Sequence, residues 1–289
     1  MRVVLVVHFA RAGAEEVVRR AVATLEDSGH AFELRVPEGV GSTPAPDDLG
    51  GHVGAFSDPV TEGTDLIISL GGDGTFLRAS RLARAADVPV IGVNVGRLGF
   101  LAEVETEDLE DALARLGAGR YVVEERSVLT VALSEADGTD RGGGWALNDV
   151  AIEKAARQRL VRLEVNVGAT PFAALAADAV IVATSTGSTA YALSAGGPIV
   201  NPTLDTMLIA PVAPHSLFDR TVVTDLADTV AVRIADDQDG AVVSTDGMDP
   251  VALGPGGTVV IRGDQRPVRV ARVGEAEFFA RVRRKFRLG

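Results

Sequence analysis

The chain has 289 residues, 46% of them hydrophobic and 24% charged, a balance typical of a globular protein with room for two domains. It contains no cysteine, which excludes a disulfide scaffold, a thiolate metal site and a thiol mechanism. The formal net charge of -12 argues against a nucleic acid partner, because phosphate backbones attract basic surfaces.

The N-terminal segment predicts a strand followed by a helix. Val3–Val7 is a short apolar run of the buried-strand type, and Ala14–Leu25 repeats apolar residues at helical spacing. Arg11 and Glu15 follow the first run too closely for the core of a signal peptide, and no uncharged apolar stretch approaches membrane-spanning length. We therefore expect a cytoplasmic protein with no membrane partner.

A parallel α/β unit is predicted next. Glu38–Thr64 is rich in Gly, Pro and Asp and predicts a mobile loop. The order strand, helix, strand then follows at Asp65–Leu70, Phe76–Ala86 and Pro89–Val93, which is typical of a parallel sheet. Residues 1–120 are therefore expected to form an α/β domain.

After residue 120 the hydrophobic period changes to two, which predicts a β-rich domain over residues 121–272. The predicted strands are Val128–Leu133, Ala146–Ile152, Leu163–Val167, Thr229–Ile234 and Thr258–Arg262. Residues 273–289 return to helical spacing, and the helix predicted over Glu275–Phe286 should pack back on the first domain. On this helix we expect a solvent-exposed basic face made of Arg281, Arg283, Arg284 and Lys285.

The segment Gly71–Thr75, with the sequence GGDGT, gives the sharpest local signal. It joins a predicted strand to a predicted helix, where glycines let a ligand approach the backbone and the helix start offers free N–H groups. This pattern favours a phosphate loop. The alternative is a tight turn with Asp73 as an ordinary helix N-cap, although three glycines exceed what capping requires. Neither a Walker lysine motif nor a G-x-G-x-x-G fingerprint after a strand is present.

Two shorter motifs are ambiguous when each is taken alone. Asn94–Leu101, with the sequence NVGRLGFL, follows a predicted strand, and its Asn and Gly are more often found in a turn. Its Phe100 could stack on a base or pack in the core. In Leu147–Asp149, a carboxamide beside a carboxylate can hold a ribose diol, but in a β-protein the same pair is more often a turn or a bulge.

The longest motif runs over Asp178–Tyr191 and continues to Pro198. A buried strand ends in a loop crowded with small hydroxyl residues, which can line a nucleotide while Tyr191 packs against a ring. A Ser/Thr-rich turn explains neither the length nor the crowding. Ser185, Ser188 and Thr189 also suggest a nucleophile, but there is no G-x-S-x-G elbow, and His215 is the only nearby candidate base.

Taken together, these segments resemble the NAD kinase family over nearly the whole chain. The family's order and spacing are matched by GGDGT at 71–75, NVGRLGFL at 94–101, LND at 147–149, TGSTAY at 186–191, LSAGGP at 193–198 and PHSL at 214–217. GGDGT is shared with lipid kinases and resembles the phosphofructokinase phosphate loop, so TGSTAY with SAGGP is the discriminating element. The resemblance implies a Rossmann-like α/β domain with a parallel sheet and an all-β, sandwich-like second domain. It also implies an NAD site between them, often built across the subunits of a homodimer or homotetramer.

The resemblance also implies which residues bind and react. Asp73 would be the catalytic acidic residue, and the phosphate loop would comprise Gly71, Gly72, Gly74 and Thr75. The residues implied to contact NAD are Asp73, Gly74, Arg78, Asn148, Asp149, Arg159, Asp178, Thr189, Ala190, Tyr191, Ala192, Leu193, Ser194 and Ala213. No residue is assigned as a metal ligand. The chain departs from the family pattern at Asp149, which is commonly Glu, at Ser185, commonly Pro, and at Met248, often polar.

The implied reaction moves a phosphoryl group from ATP or polyphosphate to the 2′-hydroxyl on the adenosine ribose of NAD. A ribose hydroxyl is a poor nucleophile, so Asp73 is expected to receive its proton, directly or through a metal. Mg²⁺ or another divalent cation and the glycine-rich backbone should neutralise the transition state. Two other hypotheses are a lipid or sugar kinase that shares GGDGT and a non-catalytic NAD-binding protein.

Overall fold

The chain divides into two compact units. The structure is a computed structural model that describes residues 1–37, 46, 49, 52–96, 99–156, 159–237, 239–274 and 278–289. The first unit comprises Met1–Glu125 with Val268–Gly289, and the second comprises Arg126–Pro267. Among the helices in these ranges, none combines the length and the apolar character of a membrane span.

The secondary structure is mixed in the first unit and mostly strand in the second. The helices are α1 (Ala14–Asp27), α2 (Asp73–Ala86), α3 (Leu109–Gly117), α4 (Tyr191–Ser194) and α5 (Phe278–Phe286). The strands up to residue 154 are β1 (Arg2–Val7), β2 (Ala31–Val36), β3 (His52–Ala55), β4 (Leu66–Gly71), β5 (Val90–Asn94), β6 (Val104–Glu105), β7 (Val122–Ser134), β8 (Asp140–Ala146) and β9 (Asp149–Lys154). The later strands are β10 (Val161–Val167), β11 (Thr170–Ala177), β12 (Ala179–Thr184), β13 (Thr206–Val212), β14 (Val222–Asp225), β15 (Thr229–Ile234), β16 (Ala241–Thr245), β17 (Met248–Leu253) and β18 (Thr258–Arg272).

The first unit is built on a parallel sheet. Its strand order is β3, β2, β1, β4, β5, and both β6 and the end of β18 pair with β5. Residues 3–7 are fully buried, which explains why this run is continuously apolar rather than alternating. Val7 of β1 lies opposite Leu70 of β4, so the carboxyl ends of these strands open at one edge of the sheet. Ligands of parallel α/β folds bind at such edges.

The second unit contains two antiparallel sheets. One has the order β11, β10, β15, β18, with β7 beside β18 and β8 beside β7, and the other has the order β14, β13, β12, β9, β16, β17. Leu129 of β7, Leu163 of β10, Val150 of β9 and Val180 of β12 belong to one buried apolar cluster, so the inner faces of both sheets form the core. The predicted fold class, an α/β domain plus a sandwich-like all-β domain, is confirmed.

Several predicted elements differ in detail. The predicted loop Glu38–Thr64 contains β3, a four-residue edge strand with too little apolar character to predict, while residues 38–45, 47, 48, 50 and 51 lie outside the described residues. The predicted strand Ala146–Ile152 is interrupted, because residues 147 and 148 form a turn between β8 and β9. α2 begins at Asp73, three residues before the predicted start. β2 and α3 were not predicted from the sequence.

The C-terminal helix is present as α5, and residues 275–277 of the predicted span lie outside the described residues. The expected basic face is correct for Arg283, Arg284 and Lys285, which are exposed. It is wrong for Arg281, which is only 4% exposed and whose guanidinium donates to the backbone carbonyl of Phe100 in the first unit.

Candidate functional site

The glycine-rich loop of the first unit lies where β4 ends and α2 begins. A Cβ on Gly71 would lie 2.3 Å from Thr75 Oγ1, and a Cβ on Gly72 would lie 2.4 Å from a guanidinium nitrogen of Arg11. Gly74 is exposed, and a Cβ there would meet no heavy atom closer than 4.0 Å. Packing against Thr75 therefore favours glycine at position 71, the guanidinium of Arg11 lies over Gly72, and Gly74 keeps the backbone open to a ligand, as a phosphate loop needs.

Asp73 is half-buried at the first position of α2. Its Oδ2 accepts the backbone N–H of Phe100 at 3.0 Å, and its Oδ1 accepts that of Leu101 at 3.1 Å. The N-cap position is Gly72, which has no side chain, so the interpretation of Asp73 as an ordinary N-cap is wrong. A carboxylate oxygen has two lone pairs, so each oxygen keeps acceptor capacity after one bond. The carboxylate is fixed in position and can still accept a proton.

The motif Asn94–Leu101 supplies these two donors. A Cβ on Gly99 would lie 2.0 Å from Asp73 Oδ1, which explains why a glycine precedes the two N–H groups. Residues 97 and 98 of the motif lie outside the described residues. The ring of Phe100 packs against Phe286 with centroids 6.0 Å apart, so in this structure it makes an aromatic packing contact within the first unit.

Arg11 is a charged neighbour of the loop that sequence reasoning missed. It lies between β1 and α1, donates from Nη1 to the carbonyl oxygen of Val95 at 2.9 Å, and covers Gly72. The signal for it was its place just after a parallel strand, at the edge where ligands bind. Arg78, which was predicted, lies one turn along α2, with Nη1 3.5 Å from the carbonyl oxygen of Gly74.

In the second unit, the Leu147–Asp149 motif is a turn held by one carboxylate. Asp246 accepts three backbone N–H groups: that of Leu147 at 2.9 Å, that of Asn148 at 2.7 Å and that of Asp149 at 3.2 Å. Its φ of 53° is left-handed, a conformation in which Asp is enriched. Asp246 was not among the predicted site residues, and the signal for it was the Asp-Gly pair between β16 and β17.

Asp149 is only 5% exposed. Its pKa is raised to about 7, mainly by burial and then by the nearby carboxylate of Asp246; an N–H of Tyr191 opposes the shift, and Glu153 adds a smaller increase. Near neutral pH this group therefore exchanges between its charged and neutral forms. A buried carboxylate beside like charges gains from hydroxyl donors, which a ribose diol provides.

The structure brings the LND and TGSTAY motifs together. A Cβ on Gly187 would lie 2.0 Å from the carbonyl oxygen of Asn148, so only glycine allows this approach. Thr184, at the end of β12, donates its backbone N–H to the same oxygen at 2.8 Å and its hydroxyl to the carbonyl of Leu147 at 2.6 Å. The side-chain Oδ1 of Asn148 is buried without a hydrogen-bond partner among the described residues. A ligand donor would satisfy it.

The serines of the loop have structural partners. Ser185 Oγ donates to the carbonyl oxygen of Leu204, and Ser188 Oγ accepts the N–H of Val200 at 3.0 Å. Both serines are at most 1% exposed. These bonds fasten the loop to the segment around residue 200, so the interpretation of Ser185 or Ser188 as a nucleophile is wrong.

Tyr191 and Asp178 lie near the end of β9, the strand that begins with Asp149. The Tyr191 hydroxyl donates to Glu153 Oε1 at 3.3 Å, and Asp178 forms an ion pair with Lys154. Burial raises the pKa of Tyr191, and the charge of Glu153 raises it further, which keeps the phenol protonated. The predicted NAD residues of β9 and α4 therefore form one cluster of hydroxyl, carboxylate and ring groups.

The other predicted contacts have varied surroundings. Thr189, Ala190 and Leu193 are half-buried and Ser194 is exposed, whereas Ala192 is buried in a small core with Ile181 and Leu208. Ala213 follows β13 with a positive φ of 45°. Arg159 is exposed and pairs with Asp239 at 3.1 Å.

Two domains of one known protein family match most of the chain. The description "ATP-NAD kinase N-terminal domain" matches residues 3–121, and "ATP-NAD kinase C-terminal domain" matches residues 147–273. The NAD kinase of Mycolicibacterium paratuberculosis is 42% identical over 294 residues, which span 99% of this chain and 95% of that protein. The NAD kinase of Corynebacterium glutamicum is 43% identical over 237 residues, spanning 82% and 81%.

Solved structures are similar over the full length. Yeast NADH kinase complexed with NADH has a TM-score of 0.83 at 23% identity and covers 100% of this chain and 88% of its own, a likeness of fold. An NAD kinase from Archaeoglobus fulgidus in complex with ATP has a TM-score of 0.74 at 25% identity and covers 99% of both chains.

Proposed function

Because this chain belongs to the NAD kinase family and functions as an NAD kinase, we propose that it moves the γ-phosphoryl group of ATP to the adenosine 2′-hydroxyl of NAD, with Asp73 as the proton acceptor. The observation that carries the proposal is the carboxylate fixed by two N–H groups at the start of α2. The 2′-oxygen bonds to the γ-phosphorus as the bond from that phosphorus to the β–γ bridging oxygen breaks. The hydroxyl proton passes to Asp73, and ADP leaves.

The ATP phosphates are assigned to Gly71–Thr75 and Arg11. Support comes from the open backbone at Gly74, the N-terminus of α2 and the guanidinium that lies against Gly72. A guanidinium has five N–H donors, so the bond from Arg11 to Val95 leaves others for an anion. The similar A. fulgidus enzyme was solved in complex with ATP.

A divalent cation, Mg²⁺ or a similar ion, is the proposed cofactor. No group of three His, Cys, Asp or Glu side chains suited to a metal occurs in the ranges that the structure describes. Mg²⁺ is usually held by one or two carboxylates together with substrate phosphates, and Asp73 beside the open glycine fits that pattern. When bound, the ion would neutralise charge on the transferring phosphoryl group.

NAD binding is assigned mainly to the second unit. Asn148 and Asp149 are proposed to hold a ribose diol, because one offers an unsatisfied amide oxygen and the other a buried carboxylate. Tyr191 offers a ring that is 36% exposed. The remaining proposed contacts are Asp73, Gly74, Arg78, Arg159, Asp178, Thr189, Ala190, Ala192, Leu193, Ser194 and Ala213. The similar yeast enzyme was solved with NADH.

The active form is proposed to be a cytoplasmic homodimer or homotetramer. Leu217 is fully exposed on the second unit, and near it the exposed rings of Phe172 and Phe218 meet edge to face at 5.6 Å. A group of exposed apolar side chains is typical of an interaction surface. Light scattering at assay concentration should show an oligomer, and an active monomer would contradict this assignment. Cell fractionation tests the compartment.

One assay tests the function as a whole. ATP consumption should be stimulated by NAD and not by diacylglycerol or sugars, and phosphorus NMR should show a single 2′-phosphate in the product. Replacing ATP with polyphosphate identifies the donors that the enzyme accepts. Lipid- or sugar-stimulated turnover, or NAD binding without turnover, would contradict the proposal.

A further inference from the structure

Arg281 is a buried cation on α5, a helix whose other basic residues are exposed. Arg281 is 4% exposed, whereas Arg283 and Arg284 face solvent. Burial lowers its pKa and nearby Arg272 lowers it further, while the carboxylate of Glu103 acts in the opposite direction. A guanidinium is costly to bury unless it has well-placed acceptors. The acceptor that Arg281 reaches is therefore informative.

That acceptor is the peptide group between Phe100 and Leu101. Arg281 Nη1 donates to the carbonyl oxygen of Phe100 at 2.6 Å. The N–H of the same peptide group, which belongs to Leu101, donates to Asp73 Oδ1 at 3.1 Å. Guanidinium, peptide and carboxylate thus form a continuous chain of hydrogen bonds, in which each bond polarises and strengthens the next. Rotation of this peptide would break both bonds at once.

Two ion pairs of Arg272, a charge that acts on Arg281, and an aromatic contact of Phe100 accompany this chain of hydrogen bonds. Arg272 Nε lies 2.6 Å from Glu103 Oε2, and its Nη1 lies 3.3 Å from Glu124 Oε2. Burial raises the pKa of Glu103, and Arg272 and then Arg281 oppose that shift. The ring of Phe100 packs on the last residue of α5. The Nζ of Lys285 also lies 5.5 Å from the centroid of the Phe100 ring, so the helix contacts this loop through a hydrogen bond, an aromatic contact and a cation–π contact.

We propose that Arg281 is a positioning residue for the phosphoryl transfer. By fixing the peptide between Phe100 and Leu101, it keeps the N–H of Leu101 on Asp73 Oδ1 and holds the carboxylate where it receives the proton. The inference rests on the proposed role of Asp73. Because Arg281 acts on the peptide and not on NAD, its loss lowers kcat more than it weakens NAD binding.

The test compares Arg281→Met with Arg284→Met, a matched change on the exposed face of the same helix. Arg281→Met keeps the length of the side chain and removes its donors, so kcat should fall about 10- to 100-fold, while the KM for NAD stays close to its original value. Arg284→Met should keep the original kcat. Arg281→Lys, which retains a charged donor, should recover part of the loss.

A double-mutant cycle separates positioning from a general structural effect. In an Asp73→Asn background, Arg281→Met should lower kcat little further, because its effect passes through the carboxylate. An equal loss in both backgrounds, or a loss of NAD affinity that matches the loss of kcat, would overturn the inference. If Arg281→Met does not fold, Arg281→Lys against Arg281→Gln carries the same test, with the lysine variant expected to be faster.

The two proposals fail in different ways. An Asp73→Asn enzyme with nearly unchanged kcat would overturn the proton-acceptor role and this inference with it. An inactive Asp73→Asn enzyme together with a fully active, folded Arg281→Met enzyme would overturn this inference alone.

Discussion

The two units each hold a key aspartate in an opposite environment. Asp73 in the first unit is half-buried, and each of its oxygens accepts one backbone N–H. Asp149 in the second unit is almost fully buried, with the carboxylates of Asp246 and Glu153 near it, and its pKa is raised to about 7. Asp73 is held by a backbone N–H on each oxygen, whereas Asp149 lies beside like charges with the N–H of Tyr191 to oppose the shift of its pKa.

This difference suits the two aspartates to different roles, one in proton transfer and the other in recognition of a diol. A group that receives a proton during a reaction benefits from a fixed position, because misplacement by about 1 Å can cost on the order of 10²-fold in rate. A group that recognises a diol benefits from unsatisfied acceptor capacity, because the ligand then provides bonds that the protein does not. Changes in the first unit should therefore act on kcat, and changes in the second on NAD affinity.

The largest expected effect is that of metal removal. EDTA should abolish turnover, and Mg²⁺ or Mn²⁺ should restore it, because the phosphoryl group transfers with charge that the first unit neutralises only in part. Calorimetric binding of NAD without ATP should change little. Turnover that persists in EDTA would contradict the need for a metal ion. NAD binding lost together with turnover would contradict the separate roles of the two units.

The second largest effect is expected for the variant Asp73→Asn. The amide keeps the size of the side chain but cannot act as the base, so kcat should fall about 10²- to 10⁴-fold, with NAD affinity largely retained. The matched control is Asp111→Asn on α3, whose exposed pair with Arg115 is worth little. A loss of only a few-fold in steady-state kcat would place the base elsewhere.

The parts of the site that left a local pattern in the sequence were predicted, and those that depend on distant partners were not. Gly71–Thr75 was singled out because its glycines lie next to one another in the sequence, whereas Leu147–Asp149 was ambiguous alone and was assigned through the resemblance to the NAD kinase family. The burial of Arg281 depends on a carbonyl 181 positions earlier, and the turn at Asn148 on a carboxylate 98 positions later. Hydrophobic periodicity carries no information about such pairs.

Asp246→Ala should have an intermediate effect that is confined to the second unit. It removes the acceptor of three N–H groups, so the turn loosens and the KM for NAD should rise on the order of 10-fold or more, since a bond to a charged acceptor contributes about 1.5–3 kcal/mol. The decrease in kcat should be smaller. Asp237→Ala, which breaks an exposed pair with Arg162, is the control. A fall in kcat with unchanged KM would contradict the assigned role of this turn.

The smallest expected effect concerns pH and Asp149. If the ionised carboxylate accepts the ribose hydroxyls, the KM for NAD should rise as pH falls below about 7, by less than about tenfold between pH 7 and pH 6. In Asp149→Asn the KM should be higher and nearly independent of pH in that range. Steady-state kinetics across the range checks this, and an equally steep profile in the variant would assign the titration to another group.

The raised pKa of Asp149 also makes the stability of the protein depend on pH. The direction of this dependence is opposite to that of a salt-bridged aspartate, whose pKa is lowered. The folded pKa of about 7 lies above the ordinary value of 3.8, so the folded state binds the proton more tightly between these two values. Stability from this group is therefore present below the lower value and is lost as pH rises to about 7. Asp149→Asn should unfold at higher denaturant than the original protein at pH 8, and its advantage should shrink toward pH 5. A stability difference that stays constant with pH would show that Asp149 is not buried against like charges in solution.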